Sequence, residues 1–217
     1  MDNLAEPKYL EKIKNSNYYC NFNIKYFYEH EIKDLLSGIE SENEFYGIVF
    51  QFIFETAARI DEARNVKYHD IDFKKSTVQI ETSKQRKSSR SRILHISDNL
   101  AKKLLVAMTD KTFNKSDFIF AKLPGKNPVT RVAINKMLRK YVAKFISEDQ
   151  YYYEKAHCHS LRHSRAVQLL DSGSVNIKKL QYILGHTNIA NTLIYLQYVN
   201  KDIRRSMAEA NHKLGLE

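Results

Sequence analysis

One stretch constrains the fold more than any other. From about Asn43 a helix is expected in which Ile48, Val49, Phe52, Ile53 and Phe54 leave almost no polar face. A helix that is apolar nearly all round belongs in a core rather than on a surface. It runs directly into Glu55-Thr56-Ala57-Ala58-Arg59-Ile60-Asp61-Glu62-Ala63, so an arginine follows straight after a buried segment. An unpaired buried charge is costly. Arg59 must therefore pair with Glu62, three residues on, or reach into a site, and the two are compatible.

Around this helix the hydrophobic period changes twice. Ile32, Leu35, Leu36 and Ile39 recur at helical spacing behind acidic residues suited to a helix N-terminus. Over residues 66–97 the period becomes two: Thr77-Val-Gln-Ile-Glu-Thr and Arg92-Ile-Leu-His-Ile alternate like strands. Ser83-Lys-Gln-Arg-Lys-Ser-Ser-Arg-Ser joins them as a polar, basic hairpin loop. Most of its charges are expected in solvent, but a lysine at the strand end is placed to reach over a bound phosphate. Lys84 is the first candidate, with Arg86 and Lys87 as alternatives. Beyond the hairpin a short helix is expected over Asp98–Met108, then a brief extended Phe118-Ile-Phe. A loop marked by Pro124-Gly125 and Asn127-Pro128 follows. Thr130 is the expected N-cap of a long helix through Phe145, with an apolar stripe of Ile134, Met137, Leu138, Tyr141 and Phe145. Arg131, Lys136, Arg139, Lys140 and Lys144 dress its other faces.

The remaining chemistry is concentrated between His157 and Tyr198, on what reads as three consecutive helices. His159 and Arg162 are three apart and share a helix face. Leu184-Gly185-His186 reads as a helix end, with Gly185 free to take a positive φ. Tyr195 follows nine residues later. Two imidazoles, a guanidinium and a phenol on short helices suit chemistry on a phosphate: histidines move protons, arginine holds a dianionic transition state, tyrosine serves as nucleophile. The bland alternatives are a core tyrosine and a metal site of His157, Cys158, His159 and His163. No Cys-x-x-Cys completes the latter, so no metal is expected.

The chain has 217 residues, enough for one domain with a sizeable core. Its formal charge of +10, from 35 basic and 25 acidic residues, favours a polyanionic partner. Two cysteines, Cys20 and Cys158, are too few for a disulfide framework, no apolar run reaches membrane-spanning length, and the cytoplasm is the expected compartment. Residues 1–28, rich in Asn, Lys and Tyr and without a clean period, read as a linker or arm.

Taken in order, residues 28–213 resemble the catalytic domain of the tyrosine recombinases, or phage integrase family. That family's Thr-Gly-Leu-Arg-x-x-Glu corresponds to Thr56–Glu62, with Ala57-Ala58 replacing Gly-Leu as a packing variation. Its hairpin lysine corresponds to Lys84, although the usual Gly-Lys-Gly surround is absent. Its His-x-x-Arg-His corresponds to His159, Arg162 and His163, its Leu-Gly-His to Leu184–His186, and its Thr-x-x-Tyr to Thr192–Tyr195. Each motif alone is weak; five in the right order and spacing are specific.

The resemblance implies a mainly α-helical α+β fold with a small antiparallel sheet, in a domain spanning 29–217. It implies cleavage and rejoining of double-stranded DNA through a 3′-phosphotyrosyl intermediate, without a cofactor. Arg59, Arg162 and His186 would hold the phosphate, Tyr195 attack it, His159 act as general base and Lys84 as general acid, with Glu62 and His163 supporting. Arg86, Lys87, Arg131, Lys136, Arg139 and Lys140 are the candidate DNA contacts, the helical ones reading equally as a solvated basic face. Residues 200–213 are expected to form a helix that either is exchanged between protomers or folds back on its own domain, in a monomer that becomes a tetramer on synapsed sites. With at most 28 residues ahead of the domain, the family's N-terminal clamp domain is expected to be missing from this chain, either because the chain is a catalytic-domain fragment or because the protein is short, and DNA binding is expected to be weak. The alternatives are a type IB topoisomerase-like or telomere-resolving strand transferase, and a non-catalytic DNA-binding relative.

Overall fold

The computed structural model describes residues 24–82 and 91–198, together with Asn211. Lys84, Arg86, Lys87 and, save for Asn211, the expected exchanged helix at 200–213 lie outside the described residues.

The apolar helix is central, as its composition requires. It is α2 (Glu44–Thr56), capped by Asn43, whose side chain accepts from the Tyr46 N–H. It packs against α1 (Glu29–Glu42), α4 (Asp98–Thr109) and α7 (Cys158–Asp171). Phe50, Phe52 and Ile53 are fully buried, which contributes roughly 2 kcal/mol for each side chain. A short helix α3 (Ile60–Arg64) and a 3₁₀ turn (Tyr68–Asp70) lead to a three-stranded antiparallel sheet in the order β1-β2-β3. Its strands are β1 (Ile71–Asp72), β2 (Thr77–Glu81) and β3 (Ser91–His95), with Val78 opposite Leu94 and Ile80 opposite Arg92. The mainly helical α+β architecture expected from the sequence is thus the observed one.

The second half is helical: α5 (Arg131–Phe145), α6 (Gln150–Lys155), α7, α8 (Ile177–Leu184), α9 (Ala190–Leu193) and a 3₁₀ turn (Ile194–Tyr198). Thr130 caps α5, its side chain accepting from the Ala133 N–H. Two apolar clusters meet along α7. Leu161 belongs to the large core around α2, whereas Ala166, Val167 and Leu170 join Ala57, Leu180, Leu184 and Tyr195 in a smaller one. The side chains with candidate chemistry lie at this seam. No helix among the described residues is long and apolar enough to cross a membrane.

Two features depart from expectation. A lead-in is expected over 1–28, but residues 24–28 pack against the rest of the domain. Phe27 is buried and its N–H donates to Ser164 Oγ at 2.7 Å, while the Ile24 N–H donates to Tyr198 Oη at 3.0 Å. Five extended residues carry no period by which such docking can be recognised. The sequence pattern does not predict helix α6 either. It delivers Lys155, fully buried, to Glu31 of α1 at 2.8 Å, and Tyr152, whose hydroxyl donates to the other Glu31 oxygen at 2.6 Å. The Lys155 ammonium also lies over the Phe27 and Tyr152 rings, at 4.6 and 4.8 Å from their centroids. This pair ties the lead-in, α1 and α6 together just ahead of α7.

Candidate active site

Arg59 stands at the N-cap of α3, two residues after a left-handed residue, Ala57, at φ 48°. The turn ends α2 and swings the chain so that Arg59 emerges from the core. Its Nη1 donates to Glu62 Oε1 at 2.8 Å, and its backbone N–H donates to Glu62 Oε2 at 3.1 Å. Of the two options that the sequence left open for Arg59, the pairing with Glu62 is present. The Ala57-Ala58 replacement is more than a packing variation. A position at which the resemblance has glycine keeps its left-handed backbone here with an alanine, at a cost of about 1 kcal/mol.

Arg162, from the buried face of α7, is 1% exposed. Its guanidinium donates to the Ala57 carbonyl at 2.8 Å and the Leu184 carbonyl at 2.7 Å, and reaches His186 Nε2 at 3.0 Å. It thereby bonds the end of α2 to the end of α8. Burial, then the nearby Arg59, pulls its pKa down to about 10, so it remains charged at neutral pH. A guanidinium only donates, so His186 Nε2 accepts and Nδ1 carries the proton, given to Thr192 Oγ1 at 2.9 Å. His186 is neutral accordingly: burial, followed by Arg162 and Arg59, depresses it to about 3. Gly185 at φ 62° closes α8 and turns His186 back toward Arg162.

Tyr195 is 1% exposed, and its hydroxyl lies 2.8 Å from His163 Nδ1. Burial raises the phenol pKa, against the charge and hydrogen bonding of Arg162 and the charge of Arg59. Burial also pushes His163 down to about 3, helped by His159 and Arg162. A neutral imidazole facing a protonated phenol is an acceptor poised on a donor. His159, one turn earlier, is exposed and packs edge-on to the His163 ring at 5.1 Å between centroids. The ring on the Tyr195 oxygen is therefore that of His163, with His159 beside it. Tyr198, three residues on, accepts instead from the lead-in at Ile24.

Cys158 is buried in the main core, and burial raises its thiol to about 12. Among the described residues no His, Cys, Asp and Glu side chains are grouped to hold a metal ion.

Sequence reasoning missed Arg92. This β3 residue is 3% exposed and its Nη2 donates to Glu62 Oε2 at 2.7 Å. The signal was present, because Arg92 alternates in phase with Leu94 and Ile96, the residues of the buried face. Burial by itself would raise the Glu62 carboxyl, but the charge of Arg92, then its hydrogen bond and those from Arg59, hold it below the usual carboxylate range.

The basic residues of α5 do not form one surface. Arg131 lies 3.6 Å from Asp61 of α3, and Arg139 stacks on Tyr153 at 4.9 Å. Lys144 turns the other way to Glu42 at 2.8 Å. Lys136 and Lys140 are exposed.

Residues 25–201 match the phage integrase family, a span that includes every motif above except the N-terminal arm. The chain belongs to that family. A tyrosine recombinase of Pseudothermotoga lettingae is 28% identical over 173 residues, covering 79% of this chain and 56% of the relative. This phage integrase family member thus spans just over half the length of that curated relative. Among solved structures, the catalytic domain of bacteriophage HP1 integrase superposes with a TM-score of 0.59 at 21% identity, over 86% of this chain and 95% of that one. XerH site-specific recombinase bound to its difH substrate, in a pre-cleavage complex, gives a TM-score of 0.64 at 19% identity, over 86% and 53%. At such identities the two structures establish the fold of this family member, that of a recombinase catalytic domain.

Proposed function

We propose that the chain cleaves and rejoins double-stranded DNA by phosphoryl transfer to Tyr195, as a site-specific recombinase or integrase. The observation that carries this reading is the convergence at one seam of a buried phenol on an imidazole acceptor and two arginines from distant segments. Family membership and the DNA-bound state of XerH support it.

In the proposed reaction a phosphodiester sits against Arg59, Arg162 and His186. Planar guanidinium donors suit its non-bridging oxygens; its negative charge favours the protonated form of His186, and Arg162 then transfers its donor from Nε2 to a phosphate oxygen while Nε2–H donates to the phosphate. The Tyr195 Oη–P bond forms as the P–O5′ bond breaks. The phenol proton passes to His163 Nδ1, which the phosphate makes more basic by offsetting its cationic neighbours. His159, the base implied by the resemblance, then acts through His163 or on the phosphate. The leaving 5′-oxygen takes its proton from Lys84, the residue the resemblance assigns. Attack of another 5′-hydroxyl on the phosphotyrosine reverses the chemistry and exchanges strands. The protein acts in the cytoplasm, monomeric when free and tetrameric on synapsed sites, serving integration, excision, transposition or resolution of a DNA element.

The test is a nicked suicide duplex carrying DNA from the ends of the encoding element or its resolution site. Wild type is expected to form a covalent adduct on a denaturing gel, Tyr198→Phe to retain it, and Tyr195→Phe to lose it. An adduct that survives Tyr195→Phe overturns the nucleophile. Absence of any adduct from a wild-type chain bound to the site overturns cleavage itself and leaves a DNA-binding role.

A further inference from the structure

We propose that Arg92 is a positioning residue for this reaction, a single buried guanidinium that fixes the segments bearing Arg59 and His186 relative to each other; the inference rests on the cleavage reading above. Arg92 donates in three directions. Nη2 reaches Glu62 Oε2 at 2.7 Å, Nε reaches the Ile183 carbonyl at 2.8 Å, and Nη1 reaches Thr82 Oγ1 at 3.3 Å. The first partner is the carboxylate that holds Arg59 by its side chain and its backbone N–H. The second lies three residues before His186, in the last turn of α8. The third is the residue that follows β2. No other described side chain bonds to all three segments.

The fit around Arg92 is close. A Cβ on Gly185 would lie 2.8 Å from Arg92 Nη1. Gly185 is thus required twice, for its positive φ and for the approach of Arg92 beside His186. On its open side the same guanidinium lines a 360 Å³ cavity with Thr82, Gln181, Tyr182 and His186.

Charge gives Arg92 a second consequence. Arg59 and Arg92 share one carboxylate, Glu62, and the charges of both reach Arg162. Among the described residues the site therefore holds three guanidiniums against a single carboxylate, an excess of two positive charges. A phosphodiester carries one negative charge and its pentacoordinate transition state close to two. Arg92 raises the potential at the phosphate without touching it, and because Glu62 is anchored by Arg92, Arg59 is left free to offer its remaining N–H donors outward.

Lysine at this position keeps the charge but cannot span three acceptors in one plane. The full chain and its Arg92→Lys, Arg92→Met and Thr82→Val variants would be compared by single-turnover cleavage of the nicked suicide duplex at saturating protein. Duplex affinity and thermal melting would be measured alongside. Positioning predicts that Arg92→Lys and Arg92→Met both lose at least about 30-fold in cleavage rate. Affinity should change by less than about 5-fold, with the protein folded at the assay temperature. Thr82→Val, which removes only the weakest of the three bonds, is expected to remain folded and lose about 3-fold. A folded Arg92 variant that cleaves at the wild-type rate overturns the proposal. If neither Arg92 variant folds, an unchanged rate for Thr82→Val overturns it. Failure of the wild type to cleave is a different result and strikes the functional reading instead.

Discussion

The hydroxyl of Tyr195 lies 2.8 Å from Nδ1 of His163, a ring held neutral by burial and by the neighbouring His159 and Arg162. The two residues are joined across the small cluster in which α7, α8 and the final turn pack. This contact sets the first prediction. His163→Ala should lower the rate of adduct formation by about 100-fold or more, the usual size of a general-base contribution. His159→Ala, which leaves that hydrogen bond in place, should cost less. Single-turnover cleavage at matched DNA occupancy separates them, and the reverse order of effects returns the base role to His159.

Acid should destabilise the free domain before its carboxylates titrate. His163 and His186 are both depressed to about 3, and His157 is lowered by burial, then by Lys25 and Arg139. A depressed histidine binds fewer protons folded than unfolded. Its contribution is complete above the unfolded value of about 6.5 and is lost as pH falls toward the folded value. Melting temperature should thus fall between about pH 6.5 and 4.5, a window above the ordinary carboxylate range. His163→Gln should flatten that slope. A flat profile in wild type over this window contradicts the neutral state of these rings.

Ala57 holds its left-handed turn with a Cβ and is wholly buried. Valine there adds β-branched strain and volume in a packed site, so Ala57→Val should cost about 2–4 kcal/mol. Ala57→Gly relieves the backbone but loses a buried methyl and gains unfolded-state entropy, and should stay within about 1 kcal/mol of wild type. Urea denaturation would distinguish these. Equal effects of the two changes would mean that volume alone matters at this turn.

The Lys155–Glu31 pair should behave as a buried ion pair. Burial alone would raise the Glu31 carboxyl, yet hydrogen bonds from Lys155, Tyr152 and the Tyr28 N–H leave it below its ordinary value. Lys155→Met strands that carboxylate and should cost about 3–5 kcal/mol. The double variant Lys155→Met/Glu31→Gln removes both charges and should recover a substantial part. If the double variant is no better than the single one, the loss comes from packing in the aromatic surround of Lys155, not from the stranded charge.

Much of this molecule was legible in the chain because local physics wrote it there. The all-round apolarity of Ile48–Phe54 required a buried helix, and α2 is the centre of the core. Thr130 and Asn43 announced helix starts, Gly185 announced a stop, and the two alternating segments became β2 and β3. In each case the cause acts within a few residues: a hydrophobic period, a cap, a backbone dihedral. The lead-in at 24–28 and the six-residue α6 were not legible, since neither is long enough to show a period and both are fixed by distant partners.

The site divides in the same way. Resemblance to the family's motifs, in their order and spacing, drew Arg59, His159, Arg162, His163, His186 and Tyr195 together as candidates. Which imidazole meets the phenol was decided by packing: α7 is rotated so that Arg162 is buried, His163 faces Tyr195 and His159 looks outward. Arg92 was decided there too. Its role depends on a carboxylate thirty residues before it and a carbonyl ninety-one residues after it, and hydrogen bonds over such separations leave no periodic trace in a single sequence. What the sequence determined by itself was most of the helices and strands and, Arg92 apart, the reactive side chains. Only the tertiary structure chose which donor faces which acceptor, because that choice is made where three separately encoded segments exclude water from the same small volume.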